Sequence, residues 1–246
     1  MIGDIHGCTH SFNVLLSHVA PTRNDTVIML GDYIDRGPDA KGAIDRLLEL
    51  STQTRLICLR GNHEQMMLNA RGNKQWRSYW RQRGGDTTLY SYARHRLASA
   101  LDSVPDSHWD FLENQCVLYH ETDEQIFVHA GLDPQLPLEN QPHVILLSQK
   151  FRDARPHCSG KKMICGHTVQ LNGLPAERGF ALCLDTGVCW GGLLTCLDMD
   201  SGVIWQTTQF GETRRLNVAH LPLVSQSDSI ARSALGDEDA VDRFQA

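Results

Sequence analysis

The stretch Thr26-Val27-Ile28-Met29-Leu30-Gly31-Asp32-Tyr33-Ile34-Asp35-Arg36-Gly37 decides the fold class of this chain. Residues 26–30 form a short apolar run that ends at a glycine, which is typical of a strand buried on both faces. Residues 40–50 then carry apolar side chains at helical spacing, with Asp39 as the candidate N-cap. The next predicted strand is 55–59, and the next predicted helix is 62–70. This alternation predicts an α/β fold with helices packed on the faces of a sheet.

The later part of the chain is predicted to be helical first and β-rich afterwards. Residues 74–114 carry a helical pattern with three tryptophans, and we interpret them as a helical cap or insertion. Residues 117–120 and 125–129 flank a polar turn, which predicts a hairpin. The remaining predicted strands are 163–165, 181–184, 193–197 and 203–207. Residues 1–224 are therefore interpreted as one domain, and the polar, acidic residues 225–246 as a mobile tail.

Composition excludes several classes of protein. The chain has 246 residues, which fits one large domain, and 41% of them are hydrophobic. The formal net charge is -6 and no Lys/Arg-rich run occurs, which excludes a nucleic acid as the main partner. The apolar runs are too short to cross a bilayer and no secretory signal is visible, so a cytoplasmic location is expected. The 8 cysteines include no C-x-x-C pair and are expected to be free thiols rather than disulfides.

Five short polar motifs are the candidate functional elements, and each follows a strand-like stretch. They are Gly3-Asp4-Ile5-His6-Gly7, the Gly31 to Gly37 segment quoted above, Gly61-Asn62-His63-Glu64, His129-Ala130-Gly131 and Gly166-His167-Thr168. Strand ends lie side by side in a sheet, so these loops are expected to converge. A lone Gly-Asp or Gly-His is far more often an ordinary turn than a ligand. Five motifs that agree in placement and chemistry together predict a functional site.

The polar residues of these motifs form a ligand set for two metal ions. Asp4 and His6 are two residues apart, so both face one side of an extended strand end. Asp32 has two carboxylate oxygens and could bridge two cations. The candidates that complete the second ion are Asn62, His129 and His167. This mixture of carboxylate, imidazole and amide suits manganese, iron or zinc better than calcium.

With these motifs the chain resembles the phosphoprotein-phosphatase branch of the calcineurin-like metallophosphoesterases. That branch carries GD-x-HG, GD-x-x-DRG, GNHE, HAG and a later GH in this order, and all five are present between Gly3 and about Gln209. Residues 61–67 and 83–92 are particularly similar to bacterial and phage protein Ser/Thr phosphatases. The resemblance implies a central β-sandwich flanked by helices, with the active site at strand-end loops. Only two residues precede Gly3, so either the first strand is very short or the chain begins later than its relatives do.

The resemblance also implies a role for each motif residue. One metal would be held by Asp4, His6 and Asp32, and the other by Asp32, Asn62, His129 and His167. His63 would be the general acid, Asp35 would orient it, and Arg36 would bind the phosphate oxygens. For the second phosphate-binding arginine we favour Arg152 over Arg155. Manganese is the metal expected first, with iron or zinc as alternatives.

Three functions compete at this point. The first is hydrolysis of phosphate monoesters, above all phosphoserine and phosphothreonine in a phosphoprotein or phosphopeptide, by direct attack of a metal-bound hydroxide. The second is symmetrical hydrolysis of dinucleoside tetraphosphates, and the third is a metal-free binding scaffold. Asp35 favours the first, because dinucleotide hydrolases typically lack this residue and their leaving group needs less help from an oriented acid.

Overall fold

The computed structural model describes residues 1–93 and 97–224, and the predicted acidic tail at 225–246 lies outside them. The helices are α1 (Thr9–Val19), α2 (Ala40–Ser51), α3 (Asn62–Gly72), α4 (Lys74–Trp80), α5 (Asp86–Tyr92), α6 (Asp106–Asp110) and α7 (His143–Ser148). The strands are β1 (Thr26–Met29), β2 (Arg55–Leu59), β3 (Cys116–Val117), β4 (Tyr119–Glu121), β5 (Gln125–Val128), β6 (Lys162–Cys165), β7 (Ala176–Glu177), β8 (Ala181–Cys183), β9 (Leu194–Leu197), β10 (Val203–Thr207) and β11 (Thr213–Asn217). Shorter helical turns are Arg81–Gly85, Leu97–Ser103, Phe111–Gln115, Leu138–Asn140, Phe151–Asp153, Val188–Trp190 and Val218–His220.

Two sheets form the centre of the molecule. The first consists of β1-β2-β3 and β11-β10-β9, and Ile2 joins its halves by a parallel bridge to Met29 and an antiparallel bridge to Cys196. The second sheet has the order β4-β5-β6-β8-β7. Within the first sheet, Ile2 makes this connection through its backbone: it donates its N–H to the Ile28 carbonyl at 2.8 Å and accepts from the Leu30 N–H at 3.0 Å.

Three apolar layers show that the sheets form a sandwich covered by helices. Along β1, Val27 and Met29 pack into the layer beneath α1, α2 and α3, whereas Ile28 faces the layer between the sheets. Along β5, Phe127 faces that central layer, and its neighbours Ile126 and Val128 face the layer on the far side. Successive side chains of a strand point to opposite faces, so each central strand serves two layers. The expected α/β sandwich flanked by helices is confirmed.

The predicted hairpin is wrong in one respect. The strand expected at 117–120 is two strands, because β3 pairs with β2 in the first sheet and β4 pairs with β5 in the second. The chain crosses between the sheets at Leu118, and a local pattern of alternation does not show such a crossing. The antiparallel pairing of β4 with β5 across the polar turn does occur. No predicted element corresponds to α1, α7, β7 or β11.

The helical region after α3 begins as a bent hairpin packed against α2 and α3. Helices α4 and α5 meet at a kink at Arg81–Gly85, where Gly84 has φ of 107°. Trp80 and Leu89 of this hairpin are buried in the layer that also contains α2 and α3. All 8 cysteines carry free thiols, and six of them are buried.

Candidate active site

The five motif loops meet at one edge of the sandwich. Asp32 follows β1, Asn62 follows β2, His129 follows β5 and His167 follows β6, so each of these four predicted ligands lies where a strand ends. The loop after Ile2 brings the remaining two ligands to the same place. All six side chains are buried: Asp4, His6, Asp32, Asn62, His129 and His167.

The backbone of these loops is strained. Among the described residues, six non-glycine residues have positive φ, and five belong to the motifs: His6 (44°), Asp32 (50°), Asp35 (70°), Arg36 (68°) and His167 (64°). The sixth, Ala20, ends α1 as a left-handed cap. Such conformations persist only where the surrounding structure enforces them, and they cluster at functional sites. Asp4 and His6 therefore reach the site from a loop, not from the extended strand end expected from their spacing.

Asp32 lies at the centre of the cluster. Its Oδ2 is 3.5 Å from His6 Nε2, and its Oδ1 is 3.4 Å from His129 Nε2. The two oxygens of one carboxylate thus face imidazoles on opposite sides, which is the arrangement that a bridging ligand requires. Asn62 Oδ1 lies 3.0 Å from His129 Nε2 and 3.1 Å from His167 Nδ1, which places three predicted ligands of the second ion together.

Backbone carbonyls determine which nitrogen two of the histidines present. His6 Nδ1 donates to the Ile34 carbonyl at 2.8 Å, and His129 Nδ1 donates to the Leu30 carbonyl at 2.7 Å. A carbonyl oxygen only accepts, so in the neutral ring the lone pair lies on Nε2, which faces the cluster. Metal-binding histidines are commonly held in this way by the hydrogen bond of the other nitrogen.

Several buried polar atoms here fit metal binding. Asp4 Oδ1, His63 Nε2 and His167 Nε2 are buried and have no hydrogen-bond partner in the protein. A buried polar atom without a partner is costly, and an ion is one of the few explanations. Side-chain ligand atoms of His6, Asp32 and His63, and those of Asp32, His129 and His167, lie within 4.8 Å of one another. The residues present therefore fit a pair of metal ions.

The charges of the cluster act on each other strongly. Burial raises the pKa of the Asp4 carboxyl, and the negative charges of Asp185 and Asp32 raise it further. Burial also acts to raise the pKa of Asp32, but the positive charges of His129 and His63 outweigh it and hold this pKa well below its usual range. Several carboxylates crowded in a buried space repel one another, and bound cations relieve that repulsion.

Two of the predicted ligand histidines are held in the neutral form. Burial lowers the pKa of His6, and the charge of Arg36 lowers it further. Burial likewise lowers the pKa of His167, followed by the charge of His129. A neutral imidazole has the free lone pair that metal coordination needs.

His63 and Asp35 form a buried pair beside the ligands. His63 Nδ1 donates to Asp35 Oδ2 at 2.7 Å, and His63 Nε2 lies 4.0 Å from Asp32 Oδ2. Burial lowers the pKa of His63, but the charge of Asp32 and the hydrogen bond to Asp35 outweigh it and raise this pKa above the usual value. The ring thus tends to hold its proton while Nε2 faces the cluster.

The two predicted phosphate-binding arginines lie on different loops and have different neighbours. Arg36 NH1 is 2.9 Å from His6 Nε2, and its guanidinium lies 5.3 Å from the ring centre of the exposed Trp190. Arg152 lies on the turn Phe151–Asp153, where its Nε is 3.8 Å from Asp153 Oδ2. This turn is tied to the Gly166-His167-Thr168 motif, because the Phe151 N–H donates to Thr168 Oγ1 at 2.9 Å. Arg155 is exposed and donates to the Ala154 carbonyl at 2.9 Å.

Glu64, which has no predicted role, supports the Asp32 loop from below. Its buried carboxylate accepts hydrogen bonds from the backbone N–H groups of Asp32, Tyr33 and Gly61 at 2.8 Å each, and from Ile34 at 3.3 Å. Burial raises the pKa of Glu64 to about 7, and the charge of Asp32 raises it as well. The residue belongs to the Gly61-Asn62-His63-Glu64 motif, so its position gave a signal, but three of its four partners lie about thirty residues away.

Asp185 was missed as well. It is buried, it accepts the Gly187 N–H at 3.0 Å, and its charge acts on Asp4. Burial raises the pKa of Asp185 to about 6. Asp185 follows the predicted strand 181–184 and precedes Thr186-Gly187, so the pattern of a strand, an aspartate and a glycine that marks Asp32 could have found it.

Comparison with known proteins places this geometry in a family. Residues 1–170 match the sequence profile described as calcineurin-like phosphoesterase. The chain belongs to the calcineurin-like phosphoesterases. It is 38% identical over 207 residues to serine/threonine-protein phosphatase 1 of Salmonella typhimurium, covering 79% of this chain and 88% of the relative. It is 26% identical over 275 residues to a symmetrical bis(5'-nucleosyl)-tetraphosphatase of Pseudomonas fluorescens, covering 82% and 89%.

A solved structure supports the fold of this phosphoesterase. A protein serine/threonine phosphatase from Saccharomyces cerevisiae aligns with a TM-score of 0.53 and 16% identity, over 90% of this chain and 80% of that one. At this identity the likeness bears on the fold alone. The family and the bacterial relative identify the protein as a metal-dependent phosphatase. In the part of the chain that the structure describes, no helix has the length and apolar character needed to span a membrane.

Proposed function

We propose that this phosphoesterase hydrolyses phosphate monoesters with poor leaving groups, above all phosphoserine and phosphothreonine in proteins. The observation that carries the proposal is the buried pair of His63 and Asp35, joined by a 2.7 Å hydrogen bond. A serine or threonine alkoxide is a poor leaving group, and a positioned acid accelerates such a departure by about 10²–10⁴-fold. An oriented proton donor is therefore most useful to an enzyme that releases alcohols.

His63 is placed for that task. Its Nδ1 proton is directed at Asp35, which leaves Nε2 to face the ligand cluster, where it has no hydrogen-bond partner in the protein. Because the Asp35 carboxylate accepts from Nδ1, the second proton of the imidazolium lies on Nε2. That proton can pass to the leaving oxygen of a substrate bound at the cluster.

The six predicted ligands would hold two metal ions, one on Asp4, His6 and Asp32 and one on Asp32, Asn62, His129 and His167. Bound there, such ions supply Lewis acidity that activates water and neutralises charge on the phosphate. The chain itself contributes the shared Asp32 carboxylate, the tautomers fixed by Ile34 and Leu30, and exclusion of bulk water by burial.

Arginine completes the proposed binding of the phosphate group. Arg36 follows Asp35 directly in a left-handed backbone conformation, so its guanidinium and the acid pair come from one loop. A guanidinium binds phosphate oxygens through a planar pair of donors. We propose Arg152 as the second clamp, since its turn is tied to the loop of His167 through Phe151 and Thr168.

Two candidate substrates find support among the relatives. The Salmonella relative is named a serine/threonine-protein phosphatase, and the Pseudomonas relative is named a symmetrical tetraphosphatase. The first is the more similar of these two at nearly equal coverage, and the His63–Asp35 pair suits its leaving groups. Hydrolysis of dinucleoside tetraphosphates is the second candidate.

The substrate test is a direct comparison of kcat/KM. We expect phosphoserine and phosphothreonine peptides to be cleaved with higher kcat/KM than diadenosine tetraphosphate by the manganese-loaded enzyme. A far higher value for the dinucleotide would reverse the assignment. A protein that binds neither manganese, iron nor zinc and stays inactive when they are added would instead be a binding scaffold.

His63→Asn tests the acid. We expect kcat on a phosphoserine peptide to fall by roughly 10²-fold or more, because the alkoxide then leaves without a proton. The loss should be much smaller with p-nitrophenyl phosphate, whose leaving group hardly needs one. Metal content, measured by elemental analysis, should be unchanged. An equal loss on both substrates would remove His63 as the acid, and a loss of metal would make it a ligand.

A further inference from the structure

The Asp35 carboxylate is bound by more than His63. Its Oδ2 also accepts from Trp80 Nε1 at 2.7 Å, and its Oδ1 accepts from Thr88 Oγ1 at 2.5 Å. The Asp35 N–H in turn donates to Thr88 Oγ1 at 2.9 Å. All four side chains are fully buried. Both added donors come from the bent α4–α5 hairpin, about fifty residues further along the chain.

The hairpin is packed closely enough to hold these donors in place. A Cβ atom added at Gly85 would lie 2.5 Å from Trp80 Cδ2, so the chain passes directly against the indole ring. At the kink, the Gly84 carbonyl accepts the Arg36 N–H at 3.2 Å. The hairpin therefore contacts the backbone or side chain of two consecutive residues of the motif loop.

We infer that Trp80 and Thr88 are positioning residues, which hold the Asp35 carboxylate in the plane that aims His63 Nε2 at the leaving oxygen. This inference rests on the proposed role of His63. Asp35 has φ of 70°, and its side chain could otherwise rotate away from the imidazole. One donor on each carboxylate oxygen prevents this rotation, because rotating the group would break both hydrogen bonds in a buried space.

Trp80 and Thr88 thereby give the hairpin a role in the proton transfer. A cap that only covers the site would affect substrate access and thus KM. A support for the acid affects the proton transfer and thus kcat, and only for substrates that need the proton. Misplacing a catalytic group by about 1 Å can cost on the order of 10²-fold in rate.

Thr88→Val and Thr88→Ser form the first test. Valine keeps the shape of threonine and removes the hydroxyl, whereas serine keeps the hydroxyl. We expect Thr88→Val to lower kcat on a phosphoserine peptide by roughly 10-fold, with KM within about twofold and p-nitrophenyl phosphate turnover nearly unchanged. Thr88→Ser should retain most of the activity on both substrates.

Trp80→Phe is the second test, with Trp109→Phe as its control. Phenylalanine keeps an aromatic ring and removes the N–H donor to Asp35. Trp109 is also buried in the same apolar layer, and its ring lies 4.6 Å from the Arg71 guanidinium, not against Asp35. Trp80→Phe should reproduce the selective loss on the peptide, and Trp109→Phe should not, even where both lower the melting temperature.

His63→Asn is the reference that separates this inference from the proposed function. The acid role stands if His63→Asn loses activity on the peptide and much less on p-nitrophenyl phosphate. The positioning role is then overturned if Thr88→Val and Trp80→Phe lose activity equally on both substrates, or lose none. If His63→Asn itself loses equally on both substrates, both are overturned. Loss of bound metal in Thr88→Val would also overturn the inference.

Discussion

At the scale of single residues, Glu64 shows how a buried carboxylate can shape a binding loop. Each of its two oxygens accepts two backbone N–H groups, from Asp32 and Gly61 on one and from Tyr33 and Ile34 on the other. These bonds hold the loop in the conformation in which Asp32 has positive φ. The position of Asp32, the proposed bridging ligand, thus depends on a residue that contributes no predicted ligand atom.

Glu64→Gln should therefore be costly although it is nearly isosteric. In either orientation the amide nitrogen replaces one oxygen, and two buried N–H groups then face another donor. We expect the free energy of unfolding to fall by about 2–4 kcal/mol, measured by urea denaturation at pH 8. Glu49→Gln is the matched control, since the Glu49 side chain is 60% exposed and should lose little. Equal stabilities for the two variants would contradict the proposed role of Glu64 in the loop.

The sequence motifs predicted some residues of the site and not others. The six predicted ligands and the His63–Asp35 pair converge, because each lies in a short pattern that follows a strand. Trp80 and Thr88 lie in no such pattern, and their contact with Asp35 crosses 45 and 53 residues. The choice between Arg152 and Arg155 stays a prediction in favour of Arg152, whose turn is attached to the His167 loop.

At the scale of elements, the two N-terminal motif loops contact each other through their backbones. The His6 N–H donates to the Asp32 carbonyl at 2.8 Å, and the Gly7 N–H donates to the Tyr33 carbonyl at 2.8 Å. A Cβ atom added at Gly37 would overlap the His6 carbonyl oxygen. The loops that carry the first predicted metal set therefore require a glycine at the point where they cross.

Gly37→Ala should separate these loops. We expect a loss of roughly 1–3 kcal/mol in the free energy of unfolding, as for other overpacked sites, together with weaker metal binding. Gly72→Ala is the control, because an added Cβ there meets nothing within 4 Å at the end of α3. It should be neutral or stabilise by up to about 1 kcal/mol. Denaturant unfolding and metal titration of both variants check this, and full metal affinity in Gly37→Ala would refute the argument.

Helices and strands were predicted correctly where the local pattern of apolar residues was clear. The predicted strand 55–59 and helix 40–50 correspond to β2 and α2. β2 is a short continuous apolar run, and the apolar residues of α2 follow the 3.6-residue period of a helix. The division of 117–120 into β3 and β4 could not be predicted, because the two strands differ in their partners and not in their pattern. The region at 74–114 remains interpreted as an insertion beside the site.

At the scale of the whole molecule, the predicted metals would join the two sheets. Asp32 and Asn62 follow strands of the first sheet, whereas His129 and His167 follow strands of the second. Ligands from both sheets make metal binding a source of stability for the sandwich, since an ion that binds only the folded state stabilises it by mass action.

Removing the metals should therefore lower the melting temperature. At free metal 100-fold above Kd, one bound ion contributes about 2.7 kcal/mol. Asp32→Asn should abolish activity and weaken metal binding, so its melting temperature should respond little to a chelator. Asp123→Asn, on an exposed turn, is the control and should respond like the unmodified chain. Calorimetry with and without EDTA measures this, and an unaltered chelator response in Asp32→Asn would remove Asp32 as a shared ligand.

The sequence by itself determined the fold class, the ligand chemistry and the reaction class, because these depend on short patterns of strand, glycine and polar residue. Only the tertiary structure decided which residues support them: Glu64 beneath the Asp32 loop, Asp185 beside Asp4, and the hairpin donors on Asp35. The physical reason is that such support comes from contacts across many residues. Those contacts depend on how the sheets and helices pack, and no local period encodes that packing.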